Sequence, residues 1–326
     1  MRRALRPRRA DLRGLRARAD VRHGARRRPV PGGRAIALLD HRLVFVTGKG
    51  GVGKSTVAAA LGVLGVQQGK RVVVAEVSQR ADVAHVVAAA GADHLSIDPQ
   101  EAMEEYLRDQ LPSALADTLA SSRAFGYLAA ATPGMRELLT AGKIWELAQD
   151  ARRAPGTEPY DLVVVDAPAT GHGVAVLAAP KTFADTAMVG PVARQGRIIF
   201  DMLSDPARTA VVAVTTPEEM PVNETLALRD ALGDQVGQQP ALVVVNALRR
   251  ARLSADEAAR VEAEAAADGH PALRAALTAH RHAAEQRAQL RRLRRATAGV
   301  RTATLPFVPG EPDVARLAGR LREAVA

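Results

Sequence analysis

The chain has no cysteine among its 326 residues. That excludes disulfides, thiolate metal sites and a cysteine nucleophile, and it fits a reducing, cytoplasmic setting. No uninterrupted apolar run approaches the ~20 residues needed to span a bilayer, so no transmembrane segment is expected. The start of the chain lacks the apolar core of a secretory signal. Residues 1–36 also lack lysine, yet they hold thirteen arginines against two acids, Asp11 and Asp20. Thirteen less two leaves +11, which exceeds the net +10 of the whole chain, so the remainder carries −1. The basicity therefore belongs to a tail and not to the folded body.

Residues 1–40 read as a disordered Arg-rich tail and linker, with Pro29-Val30-Pro31-Gly32-Gly33 leading into the domain. The tail admits two readings. One is a basic arm for nucleic acid or acidic lipid. The other is a disordered extension translated from a start codon set too far upstream. Away from the tail, nucleic acid is not an expected partner.

The stretch that organises the body begins at Leu43. An apolar β-type run, Leu43 to Val46, stops at Thr47-Gly48-Lys49-Gly50-Gly51-Val52-Gly53-Lys54-Ser55-Thr56. Strong helix material, Val57-Ala58-Ala59-Ala60-Leu61, follows at once. Gly48 to Ser55 fits the phosphate-binding pattern of four residues between Gly and Gly-Lys-Ser/Thr. Glycines let backbone N–H groups curl round phosphate oxygens with no Cβ in the way. The following helix turns its positive dipole end toward the same anion. The pattern assigns Lys54 to the β- and γ-phosphates of ATP and the Ser55 hydroxyl to Mg²⁺.

Beyond the loop, a helix is expected from Lys54 to Gln68, ended by Gly69, then a buried strand from Val72 to Val77. About eighty residues of mainly helical pattern follow, read as a helical insertion at about 84–150, with a helix start at Asp98-Pro99-Gln100-Glu101. Its Met and aromatic residues suit either ordinary core or a ligand groove. Tyr160 to Asp166 reads as a strand whose terminal aspartate either joins the Mg²⁺ shell or caps a helix. Ala167 to Gly173 reads as a small flexible loop apt for a switch that senses the γ-phosphate, where His172 either acts or faces solvent. Residues 180–206 suit a lid, a hydrophobic partner surface or helices packed on the sheet.

Strands are expected at Thr209–Thr215 and Ala241–Asn246, with a short final strand at Thr302–Leu305. Pro217-Glu218-Glu219 opens a helix, as does the capping box Ser254-Ala255-Asp256-Glu257. A long helix at 271–296 carries His280 and His282, whose spacing of two argues against a metal pair on one face. Pro312 starts a terminal helix. The fold class is α/β: a mostly parallel sheet flanked by helices over 41–326, with the helical insertion.

Lys49 inside the loop carries a resemblance. Lys-Gly-Gly-Val-Gly-Lys-Ser-Thr resembles the deviant Walker A loop of the dimeric P-loop ATPases that include arsenite-pump ATPases, tail-anchored-protein targeting factors and the MinD/ParA positioning proteins. The resemblance implies a homodimer, or a heterodimer with a paralogue, in which Lys49 neutralises phosphate charge on the neighbouring subunit. Asp166-Ala-Pro-Ala-Thr-Gly-His172, Thr215-Thr216-Pro217-Glu218 and Val244-Val245-Asn246 are similar to the arsenite-pump and tail-anchored branch, where the asparagine contacts adenine. Pro133 to Lys143 resembles its bacterial, non-arsenite members. The implied nucleotide site is Gly48, Lys49, Gly50, Gly51, Val52, Gly53, Lys54, Ser55, Thr56 and Asn246, with Ser55 and Asp166 on Mg²⁺.

One part of the pattern is missing. The first switch of that group has an aspartate after the second strand to position the attacking water. Here Glu76-Val77-Ser78-Gln79-Arg80-Ala81-Asp82 offers Glu76 or Asp82 in its place, or slow hydrolysis. Glu76, Lys49 and Lys54 are the expected catalytic residues. The expected activity is ATP hydrolysis driving a switch on an unknown protein client. The rival expectations are a MinD/ParA-like positioning ATPase on membrane or DNA, and a non-catalytic subunit paired with an active paralogue.

Overall fold

The structure is a computed structural model that describes residues 37–77, 83–110, 132–150, 158–268 and 270–326, all within the unit Ile36–Ala326. The tail and Asp82 lie outside the described residues. The elements run β1 (Leu43–Gly48), α1 (Lys54–Gln67), β2 (Val72–Glu76), α2 (Ala84–Ala89), β3 (Asp93–Ser96), α3 (Pro99–Gln110), α4 (Met135–Leu147) and β4 (Leu162–Ala169). They continue α5 (Thr170–Ala187), α6 (Pro191–Leu203), β5 (Thr209–Thr215), α7 (Glu219–Val236), β6 (Leu242–Leu248), α8 (Ala255–Asp268), α9 (Pro271–Ala296), β7 (Arg301–Pro306) and α10 (Val314–Val325).

The strands form one seven-stranded sheet in the order β3-β2-β4-β1-β5-β6-β7. Every ladder is parallel. Parallel strands covered on both faces read as near-continuous apolar runs, and β1, β2 and β5 are buried at every position. Alternate residues feed two cores. Val44, Val46, Val72, Val74, Val164, Val212 and Val214 pack with α1, α2 and α10. Leu43, Phe45, Val73, Ala75, Val163, Val165 and Val211 pack with α4, α5, α6, α7 and α9. Successive strand side chains point to opposite faces, so each strand serves both cores.

Several expectations are corrected. β3 lies inside the stretch read as a helical insertion, at the edge of the sheet beside β2. Its sequence Asp-His-Leu-Ser has no apolar alternation, because only one side pairs and its side chains are partly exposed. The expected flexible loop at Ala167–Gly173 is no loop. β4 continues through Ala169, and Thr170 to Gly173 form the first turn of α5. The terminal helix starts at Val314, with the Asp313 carboxylate accepting from the Arg316 N–H, so Pro312 sits outside the cap. β7 runs two residues longer than the expected Thr302–Leu305. Of the three readings for 180–206, packed helices is the one observed: α5 and α6 lie against each other, and Ile199, Met202 and Leu203 are buried. The capping box at α8 is present, with Ser254 and Glu257 exchanging backbone-to-side-chain bonds of 2.8 and 3.2 Å.

The order of the strands places the site. β4 sits between β1 and β2, so the end of β4 neighbours both the phosphate-loop strand and Glu76. Chain order runs left from β1 to β2 and later right to β5. The C-terminal edge at such a reversal is where open α/β sheets bind ligands.

Candidate nucleotide site

The loop between β1 and α1 is shaped by its glycines. Gly48 (φ 151°) lies so close to β5 that a Cβ there would come 2.0 Å from the Val214 carbonyl oxygen. Gly53 (φ 92°) closes the loop, and a Cβ would meet Asn246 Nδ2 at 2.4 Å. Around Gly50 and Gly51 the space is open. α1 begins at Lys54 with no capping side chain and no acid in its first turn. Its first N–H groups are therefore directed at the loop, the arrangement that receives an anion.

Lys54 Nζ donates to the Lys49 carbonyl oxygen at 3.0 Å. Burial lowers the Lys54 pKa from its ordinary value, and the Asp166 carboxylate opposes that shift. Asp166 is itself 4% exposed. It pairs in register with Val46 of β1 and with Glu76 of β2. Since Val46 and Val164 belong to the core under α1, the strand alternation puts Asp166 and Glu76 on the same face as α1. The structure thus sets the Lys54 ammonium within electrostatic reach of Asp166, with Ser55 next in the first turn of α1. Glu76 joins them from the adjacent strand. It is 1% exposed and contacts His94 Nε2 of β3 at 3.2 Å.

Ser55 and Asp166 supply a hydroxyl and a carboxylate, hard oxygen donors of the kind Mg²⁺ takes. Magnesium in nucleotide sites uses one or two protein oxygens and fills the rest with phosphate and water. Among the described residues there is no cluster of three or more His, Asp or Glu side chains able to hold a metal alone. The donor set therefore suits a metal that arrives with a phosphate. His280 and His282 form no such cluster either.

Asn246 at the end of β6 is tied to the loop. Its Nδ2 donates to the Val52 carbonyl oxygen at 2.9 Å and its Oδ1 accepts from the Ala247 N–H at 2.9 Å. Ala247 has φ 57°, an unfavourable value for a residue with a Cβ. Beyond it, Gln286 of α9 accepts from the Arg249 N–H and donates to Glu218. The Arg249 guanidinium stacks 4.2 Å over the Phe307 ring. Asn246 fixes the phosphate loop from β6, and Arg249 and Phe307 line the edge next to it.

Lys49 is half-exposed. Its Nζ forms an ion pair of 2.6 Å with Glu224 Oε1 of α7. The second Glu224 oxygen accepts from Thr170 Oγ1 at 3.3 Å. Neither Glu224 nor His94 is legible as a site residue: they lie 175 and 18 positions from their partners, and no local pattern marks them. His172 is 78% exposed and lies 3.6 Å from Glu137, which agrees with the solvent-facing reading.

No helix among the described residues is long and apolar enough to cross a membrane. The family model described as anion-transporting ATPase matches residues 41–190. The chain is 34% identical over 249 residues to ATPase BagA of Mycobacterium tuberculosis, covering 70% of this chain and 71% of that protein. It has the same identity and coverage with the putative ATPase Mb3704 of Mycobacterium bovis. It is 28% identical over 234 residues to a putative arsenical pump-driving ATPase of Halobacterium salinarum, covering 65% of this chain and 36% of that longer protein. The loop after β1, the buried Asp166 on the neighbouring strand and these matches agree: the chain belongs to the ArsA-type family of P-loop ATPases.

Proposed function

We propose that this chain binds Mg-ATP, closes into a dimer around it and uses hydrolysis to reopen, as a switch on a protein client. The observation that carries this reading is the coupling of Lys54 to buried Asp166 at the uncapped start of α1. The loop N–H groups and Lys54 hold the phosphate chain, and Asn246 keeps the loop in its binding shape. Ser55 and Asp166 would hold Mg²⁺, whose charge favours a leaving diphosphate. Water attacks the γ-phosphorus, the bond to the β–γ bridging oxygen breaks, and ADP, phosphate and a proton leave. Glu76, beside Asp166, is the group offered to orient that water. Lys49 of a neighbouring subunit would neutralise charge developing on the phosphoryl oxygens, as an arginine finger does.

Lys54→Ala tests the site. ATP affinity, measured by calorimetry with Mg²⁺, should fall by about ten- to a hundredfold, the weight of hydrogen bonds to a charged group. Retained affinity would remove the reading. Turnover by the purified chain separates it from a non-catalytic subunit, and a nucleotide-dependent change in sedimentation reports the dimer.

A further inference from the structure

Glu224 joins two parts of the site that are far apart in sequence. One carboxylate oxygen holds Lys49 Nζ at 2.6 Å, and the other accepts from Thr170 Oγ1 at 3.3 Å. Lys49 belongs to the phosphate loop. Thr170 is the first residue of α5, four residues after Asp166. α5 has no side chain capping its start, since its N-cap is Ala169. A carboxylate beside that first turn also meets the positive end of the helix dipole. Glu224 is thus held from two sides while it holds Lys49. The first turn of α5 is in turn pressed on β1: a Cβ at Gly173 would lie 2.4 Å from Thr47 Oγ1 and 3.2 Å from the Pro168 carbonyl oxygen.

We propose that Glu224 is a latch that keeps Lys49 on its own subunit until the nucleotide site is loaded. This rests on the reading that Lys49 serves the neighbouring subunit. To reach another chain, Nζ must leave a charge-assisted contact, and that departure costs free energy. The cost is modest, because the pair is partly exposed, with side-chain exposures of 29% and 37%. A weak latch suits a switch: strong enough to bias the free chain, weak enough for bound nucleotide to overcome. Release is linked to loading through Ala167, Pro168 and Ala169. These three residues separate Asp166, which would help hold the metal beside the phosphates, from Thr170, which steadies the latch. A shift at Asp166 moves the first turn of α5, draws the Thr170 hydroxyl from Glu224 and loosens the hold on Lys49.

The test uses the full chain and reads the protein concentration at which half is dimeric, by sedimentation velocity with Mg²⁺ and a non-hydrolysable ATP analogue. Glu224→Gln keeps the shape and the bond to Thr170 but removes the charge facing Lys49. It should lower the midpoint about two- to fivefold per latched subunit, the weight of a partly exposed ion pair. It should also raise ATP turnover below the wild-type midpoint. Thr170→Val should act in the same direction and more weakly. The double variant Lys49→Ala/Glu224→Gln should match Lys49→Ala, because no lysine remains to release. An unchanged or raised midpoint in Glu224→Gln, with an unchanged melting temperature, overturns the latch. If Lys49→Ala loses turnover while Glu224→Gln has no effect, the latch alone fails. If Lys49→Ala keeps wild-type dimerisation and turnover, the cross-subunit reading fails and the latch with it.

Discussion

Lys54 carries its charge at a cost. Burial lowers its pKa below the ordinary 10.5, and Asp166 limits the shift. A cation whose folded pKa is lowered destabilises the fold while protonated, and that cost fades as pH rises through the lowered value. Phosphate binding needs the proton that is then being lost. Affinity for an ATP analogue should therefore fall on an alkaline limb that starts below 10.5. Asp166→Asn removes the group that resists burial, so its limb should move to lower pH. Titrating binding without added metal from about pH 7 to 10 separates the two chains, and superimposable limbs would deny the coupling. At this scale the sequence was legible wherever a residue's role is set by immediate neighbours. The glycines, Lys54 and Ser55 declare themselves by spacing, and Asp166 by closing an apolar run. Glu224 and His94 do not, because their partners are brought to them by the sheet and helices. Asn246 was read for adenine, and what the structure displays is its grip on Val52.

Among the elements, α1 depends on two glycines in a way its sequence alone does not announce. A Cβ at Gly62 would lie 2.6 Å from Val74 Cγ2, and one at Gly65 would lie 2.8 Å from Leu162 Cδ2 and 2.9 Å from Val72 Cγ2. Three residues apart, they present one face, and that face lets the helix lie close on β2 and β4. Gly65→Leu should cost about 1–3 kcal/mol by overpacking, read as a lower denaturant midpoint at unchanged slope. A neutral or stabilising effect would show that the helix can back away from the sheet. Long, strongly patterned elements such as α1, β5 and α9 were readable with nearly correct ends. The start of α5 was not. Ala-Pro-Ala-Thr-Gly-His-Gly has weak helix propensity, and the close fit of Gly173 on Thr47 wins over it. β3 was missed for the opposite reason: an edge strand needs little apolar surface, so it leaves little trace.

For the whole molecule, strand order matters more than strand identity. Chain order suggests that β1 and β2 are neighbours, but β4 lies between them, and that insertion brings Asp166 beside both Val46 and Glu76. The site then lies at the C-terminal edge of the sheet, the boundary that the proposed second copy of the chain would meet. If Lys49 acts across that boundary, two inactive chains should complement each other. Lys54→Ala has a defective site but an intact Lys49; Lys49→Ala has an intact site but nothing to donate. In an equal mixture of a symmetric dimer, half the pairs are mixed and each has one complete site, so turnover should reach about a quarter of wild type. The recovery should grow with total protein concentration, because it requires association. Full turnover by Lys49→Ala alone would show that hydrolysis does not need this lysine from either chain. A mixture no more active than its parts, at concentrations where both chains co-sediment, would show that the two loops never serve one phosphate.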